Sequence, residues 1–230
     1  QCVDFFFVQR CGGDVPGWHK PCHMDDAKLP DGTHKDLTGG WHSAGDYNKL
    51  SWEYGDGGVM YALTTLIESD PEYCSRFNRD DANYEDAMEE AQWGAAYLSK
   101  LQTDTGGFHK DIQQGPDRAT WMNWAAPDVH TDNVRGTADD PIVLEGEGNS
   151  PLAIGGWAKL SALLNERQTE NDYLGRAIKS WEYAAAKDEG NPLLLISTVD
   201  LFLVTKEDRF RDHARRSVET VLSKSPQEGM

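Results

Sequence analysis

The segment with the densest potential chemistry is Asp36-Leu37-Thr38-Gly39-Gly40-Trp41-His42-Ser43-Ala44-Gly45-Asp46-Tyr47-Asn48-Lys49. Gly39, Gly40 and Gly45 let a loop turn tightly and let a ligand approach the backbone. Asp46 sits among aromatic side chains able to hold a sugar ring, while its carboxylate can accept a proton. Spacing alone makes this only a candidate site, because an Asp in a Gly-rich turn more often shapes the turn itself. It is not a phosphate loop, since no Gly-Lys-Ser/Thr follows.

Two further groups of residues have chemical potential. Cys11, Cys22 and His23 form a soft-donor set suited to zinc. A Cys11–Cys22 disulfide, or two buried thiols, would account for the same cysteines. Trp121, Trp124 and Asp128 could stack on a sugar ring and grip its hydroxyls, although core packing claims most tryptophans. The following run Asp128-Val129-His130-Thr131-Asp132-Asn133 alternates oxygen and nitrogen donors that suit a cation. It lacks the glycine and the bidentate glutamate of an EF-hand loop, and a hydrophilic loop explains it as well. Glu145 and Glu147 are likewise explained by solvation alone.

The elements that must position these groups read as helices. Residues 54–69 place Val59, Leu63, Leu66 and Ile67 at helical spacing, and Asp70-Pro71 ends the run. A second stripe over about 81–102 carries Tyr84, Ala87, Met88, Ala91, Ala95, Leu98 and Leu101. Ser150-Pro151 is a helix start, leading to Leu152, Trp157, Leu160, Leu163 and Leu164. A further helix spans about 171–186. Residues 192–204 are apolar enough for helix or strand, and their helical neighbours favour helix. Thr205 and Asp208 resemble a capping start for a last helix with Phe210, Ala214, Val218, Val221 and Leu222. Helices joined by short breaks pack as antiparallel pairs, so the sequence predicts an all-α array of helical hairpins. Two long non-helical stretches, 11–49 and 106–149, hold the candidate residues, and loops of that length in a domain are usually functional or disordered.

Composition sets the bounds. A chain of 230 residues fits one domain or a large piece of one. The formal net charge of −17 would repel a polyanion, which argues against nucleic acid or an anionic membrane as partner. No apolar run reaches membrane-spanning length; the longest, 192–204, is broken by Ser197, Thr198 and Asp200. The run Phe5-Phe6-Phe7-Val8 is too short for a signal peptide and lacks basic flanks.

The Asp loop is similar to the pattern Asp-x-x-Gly-Gly-Trp-x-Asp-Ala-Gly-Asp-Tyr of glycoside hydrolase family nine. Other pieces follow in that family's order: Phe5-Phe6-Phe7-Val8-Gln9-Arg10-Cys11-Gly12, Pro21-Cys22-His23, Leu29-Pro30-Asp31-Gly32, Leu101-Gln102 with Gly106-Gly107-Phe108, Trp124-Ala125-Ala126-Pro127-Asp128, and Asn149-Ser150-Pro151-Leu152-Ala153. The resemblance implies an (α/α)6 barrel of helical hairpins, about the first half of it within residues 1–230. It implies an inverting hydrolase of β-1,4-linked glucan of the endoglucanase or cellulase type, with a carboxylate and a protonated carboxyl ~6.5–9.5 Å apart. It places Asp46 as the general base and the acid, a glutamate, beyond Met230. It favours a cleft role for Trp124, while adjacency alone makes Trp41, His42 and Tyr47, beside the base, and Asp128, beside Trp124, substrate-binding candidates. Trp121 stands where the family often has His. The resemblance also suggests a secreted, extracellular or periplasmic setting, an upstream immunoglobulin-like module in some members, and no cofactor needed for catalysis.

Two departures from the pattern carry weight. The companion Asp three residues before the base is Ser43, which can hydrogen-bond water but brings no charge. A catalytically impaired carbohydrate-binding protein is therefore the alternative function. A structural zinc occurs in some members on two Cys, the adjacent His and a His three residues after the base. That last position is Lys49 here, leaving His19 or His42 to complete the set. A zinc-stapled helical protein with an unrelated ligand is the third reading.

Overall fold

The computed structural model describes residues 2–43, 49, 55–79, 85–113, 131–165, 171–187 and 190–224. Its helices are α1 (Cys2–Val8), α2 (Asp56–Ser69), α3 (Pro71–Cys74), α4 (Asp86–Leu101), α5 (Pro151–Leu163), α6 (Tyr173–Ala185), α7 (Pro192–Thr205) and α8 (Asp208–Lys224). Four two-residue strands lie between α4 and α5: β1 (Phe108–His109), β2 (Ile112–Gln113), β3 (Ile142–Val143) and β4 (Glu147–Gly148). The all-α expectation holds, with these strands as an addition. β1 pairs antiparallel with β4, and β2 with β3. The second long loop therefore leaves and returns as one ribbon.

The helix boundaries have local causes. Asp70 closes α2 and opens α3, its side chain accepting from Tyr73 N at 3.0 Å. The expected break at Asp70-Pro71 is real, but Pro71 starts a fresh turn, a position where its missing N–H costs nothing. Asn191 caps α7 by accepting from Leu193 N at 2.9 Å. Ser150 stands at the N-cap of α5 without a side-chain capping bond. The α1 helix was not foreseen, because its Phe run shows no helical period. Phe6 instead packs on Trp41, ring centroids 5.8 Å apart, and Arg79 lies over the Phe7 ring at 4.1 Å.

Packing follows the chain in sequence: α2 lies against α4 and α5, α5 against α6 and α7, and α7 against α8. Trp157 is fully buried, stacked on Phe108, and donates to Ala95 O at 3.3 Å. The polar residues that interrupt the apolar run of α7 each have a partner. Ser197 donates to Pro151 O at 2.6 Å, Thr198 accepts from Trp181 Nε1 at 2.8 Å, and Asp200 pairs with Lys159 at 3.2 Å. They lie on the packed face of α7, whereas Ile196, Val199 and Leu203 on its other face are exposed, so the helix is apolar on both faces but packed on one. Among the described residues no helix is long and apolar enough to cross a membrane.

Candidate functional site

The frame of the first long loop is built on α1 and α4. Residues 9–11 run antiparallel to 40–42: Cys11 N donates to Gly40 O and His42 N to Gln9 O, both at 2.9 Å. Behind this pair, α4 presents Glu90, Trp93 and Gly94. Glu90 is buried, accepts from Trp41 Nε1 at 3.2 Å and pairs with Arg10 at 2.9 Å. Burial pushes its carboxyl upward, and Arg10 opposes that shift. Trp93 Nε1 donates to Gly40 O at 2.8 Å. A Cβ on Gly94 would lie 2.4 Å from the Trp41 ring, so only glycine lets the indole rest on the helix. From α2, Asp56 accepts Trp41 N at 2.9 Å.

Four buried side chains converge at the edge of this frame. Cys11, Cys22, His23 and His42 each offer a ligand atom within 4.8 Å of the others. Cys22 Sγ is 3.5 Å from His42 Nε2, and the His23 and His42 rings are 5.5 Å apart. Cys11 and Cys22 are free thiols. Burial works against a charge on Cys11, but the hydrogen bond from Cys22 and the charges of Lys49, His23 and His42 bring its thiol well below the usual range. The Cys22 thiol is pushed up by its hydrogen bond to Cys11 and by burial. Burial alone would lower His23, yet the neighbouring Cys11 thiolate carries it up to about 9. His19 is not among the donors that lie within 4.8 Å of one another, and its Nδ1 lies 2.8 Å from Lys20 O.

Lys49 closes the other end of the Asp loop. Its backbone exchanges two 3.0 Å hydrogen bonds with Ile112 of β2. Its buried ammonium pairs with Asp26, donates to Leu37 O at 3.1 Å and Gly39 O at 3.2 Å, and lies over the Tyr97 ring. Burial raises Asp26 to about 6 against the pull of Lys49. Lys49 thus serves as an internal counter-ion, a role its position beside a ligand pattern did not suggest. Burial likewise raises Asp56 to about 7, and Tyr97 Oη is buried beside it without a hydrogen-bond partner.

The predicted residues fall in three places. Cys11, Cys22, His23 and His42 come together. His42 brings Nε2 to 3.5 Å from Cys22 Sγ and also lines the recess at Ser43. Trp41 is 3% exposed and packs into the core while lining the same recess. Ser43 is exposed at a recess of about 160 Å³ that Phe5, Phe6, Trp41 and Asp56 also line. Asp46, Tyr47, Trp121, Trp124 and Asp128 lie outside the described residues. Sequence reasoning missed Glu90, Asp56 and the Lys49–Asp26 pair. The available signal for Glu90 was an acidic residue on the apolar stripe of α4.

Residues 1–191 match the sequence model of a family described as Glycosyl hydrolase family 9. Endoglucanase D of Acetivibrio thermocellus is 46% identical over 54 residues, 19% of this chain and 9% of that protein. The endoglucanase of the termite Nasutitermes takasagoensis superposes with a TM-score of 0.74 at 17% identity, covering 99% of this chain and 55% of that one. A Zn-binding triple mutant of the family 9 endoglucanase J30 superposes with a TM-score of 0.72 at 20% identity, covering 94% of this chain and 46% of that one. The chain thus spans about half the length of these structural neighbours.

Proposed function

Because the chain belongs to glycosyl hydrolase family 9, we propose that it builds one wall of the cleft of an inverting hydrolase of β-1,4-linked glucan. The observation that carries this reading is the family match over residues 1–191, which includes the Asp loop. The frame that brackets that loop supports it: His42 and Lys49 are both fixed by main-chain bonds, and Asp46 lies between them in sequence. In this reading Asp46 takes the proton of the attacking water, and the water needs room on the face opposite the acid. Ser43 holds that water by a hydrogen bond without adding charge. Tyr47, Trp121, Trp124 and Asp128 contact the sugar. The acid is a glutamate supplied from outside these residues. An extracellular setting suits a polymeric glucan.

The four converging donors fit a structural zinc. Two sulfurs and two imidazole nitrogens are the tetrahedral set that zinc favours, and all four side chains are buried, as a closed structural site requires. His42 replaces the downstream histidine whose place Lys49 holds. When bound, zinc supplies a cross-link between the end of α1, the Cys22–His23 turn and the strand entering the Asp loop. The protein's part is to hold those donors in place by the 9–11 and 40–42 pairing.

Reducing-sugar release from soluble β-glucan by the chain together with the segment that carries the glutamate, with Asp46→Ala beside it, tests the catalytic assignment. Release that the substitution abolishes supports Asp46 as base; release that survives it overturns the assignment. Ser43 favours a second reading, a glucan-binding protein that does not turn over. Binding of cello-oligosaccharide by that longer chain with no sugar released, and none gained on Ser43→Asp, selects it.

A further inference from the structure

Two residues beyond His23 the fold gathers a second donor set of different chemistry. Asp25, Asp132 and Asp139 each bring a carboxylate oxygen within 4.8 Å of the others. Asp25 is fully buried. Its Oδ2 accepts from Thr131 Oγ1 at 2.7 Å, whereas Oδ1 is buried with no hydrogen-bond partner. A buried carboxylate oxygen left unmatched is costly, and such groups are ordinarily paired or bound to metal.

The surrounding bonds orient the three carboxylates without neutralising them. Asp139 Oδ2 accepts Asp132 N at 2.8 Å and Oδ1 accepts Thr137 Oγ1 at 2.7 Å. Asp132 Oδ1 accepts Val134 N at 2.7 Å. Asn133 joins the two segments, accepting from Met24 N at 3.0 Å and donating to Pro21 O at 3.2 Å. These donors are neutral amides and hydroxyls; the positively charged neighbour acting on Asp25 is His23. Asp132 is exposed, which leaves one side open to water.

We propose that Asp25, Asp132 and Asp139 form a binding site for a hard divalent cation of the calcium class, separate from the Cys/His set. Carboxylate oxygens select hard ions, whereas thiolate and imidazole donors select zinc. Calcium accepts an irregular shell completed by waters, while magnesium demands near-ideal octahedral geometry. A cation here ties the 131–139 turn to the 21–25 segment. It would hold the chain just past Trp124 and Asp128 against the Cys22–His23 turn, joining the roots of both long loops.

Calorimetric titration of calcium chloride into the 230-residue chain, its zinc content measured in parallel, tests the site. The expected result is one calcium per chain with a Kd on the order of 10⁻⁴–10⁻³ M, in the range of extracellular modules, and weaker binding of magnesium. Asp132→Asn and Asp139→Asn replace side chains that reach the surface, and each should weaken calcium at least tenfold. Zinc content and the zero-calcium melting temperature should stay unchanged, which separates a lost ligand from a lost fold. No calcium heat up to about 10 mM, or equal affinity in both variants and the parent, overturns the proposal. Zinc displacing calcium from the site overturns the hard-ion assignment.

Discussion

Cys22 Sγ and His42 Nε2 lie 3.5 Å apart, although 20 positions separate them in the chain. That approach makes His42 the fourth member of the Cys11, Cys22 and His23 group. His42→Ala is expected to weaken zinc binding at least ~100-fold, since losing a ligand costs no less than losing a group that merely orients one. His19→Ala should leave binding intact. Zinc content after dialysis against a graded chelator distinguishes the two, and equal retention in both variants rejects His42 as a ligand.

Zinc uptake should depend on pH in one direction. His23 is carried up to about 9 by the Cys11 thiolate, and Cys22 holds its proton. Both must lose those protons to bind a metal. Affinity is therefore expected to rise from pH 6 to 9 with release of protons, read as buffer-dependent heat in calorimetry. A flat profile would contradict this charge assignment.

Lys49→Met removes the partner of a fully buried Asp26. The expected loss is ~3–5 kcal/mol, the cost of an uncompensated buried charge. Adding Asp26→Asn should restore part of it, because the double variant buries no charge. Urea unfolding of the two single variants and the double closes the cycle, and additive losses would mean that the pair is not coupled.

Asp56 predicts a pH dependence of stability. Burial raises its carboxyl from 3.8 to about 7, so folding favours the neutral form. The stabilisation is complete below the unfolded value of 3.8 and is lost as pH rises toward 7. Asp56→Asn keeps an oxygen for Trp41 N and has no proton to lose. Its melting temperature should gain on the parent steadily from pH 4 to 7 and hold that margin above; a constant difference would rule out Asp56 as the source.

Gly94→Ala should destabilise by ~1–3 kcal/mol, the usual cost of overpacking. The added methyl would meet the Trp41 ring, itself held by Glu90 and Asp56. Thermal denaturation measures this, and a neutral effect would show that the indole can shift.

The helices were legible because each buries one stripe: Ala87, Met88, Ala91, Ala95, Leu98 and Leu101 are all buried on α4, at the spacing the sequence displays. The α1 helix was not, since Phe5, Phe6 and Phe7 are consecutive and are sorted only by contacts with Trp41, Arg10 and Arg79. Cys11, Cys22 and His23 were legible as soft donors by type alone. Choosing His42 over His19 required the pairing of 9–11 with 40–42, a long-range register that no local pattern encodes. Asp25 was silent for the same reason: its partners Thr131, Asp132 and Asp139 arrive from more than a hundred residues away. Asp46, Tyr47, Trp121, Trp124 and Asp128 rest on the family pattern.

The two main-chain anchors have an engineering consequence. Gln9 holds His42 and Ile112 holds Lys49, so the fixed ends of the intervening stretch belong to partners outside it. The backbone bonds at His42 and Lys49 therefore do not depend on which side chains stand at 43–48. The chemistry of that stretch can be rewritten, by Ser43→Asp or by transplanting a relative's sequence, while the scaffold keeps the same two attachment points. An insertion at either anchor would instead break a backbone pairing.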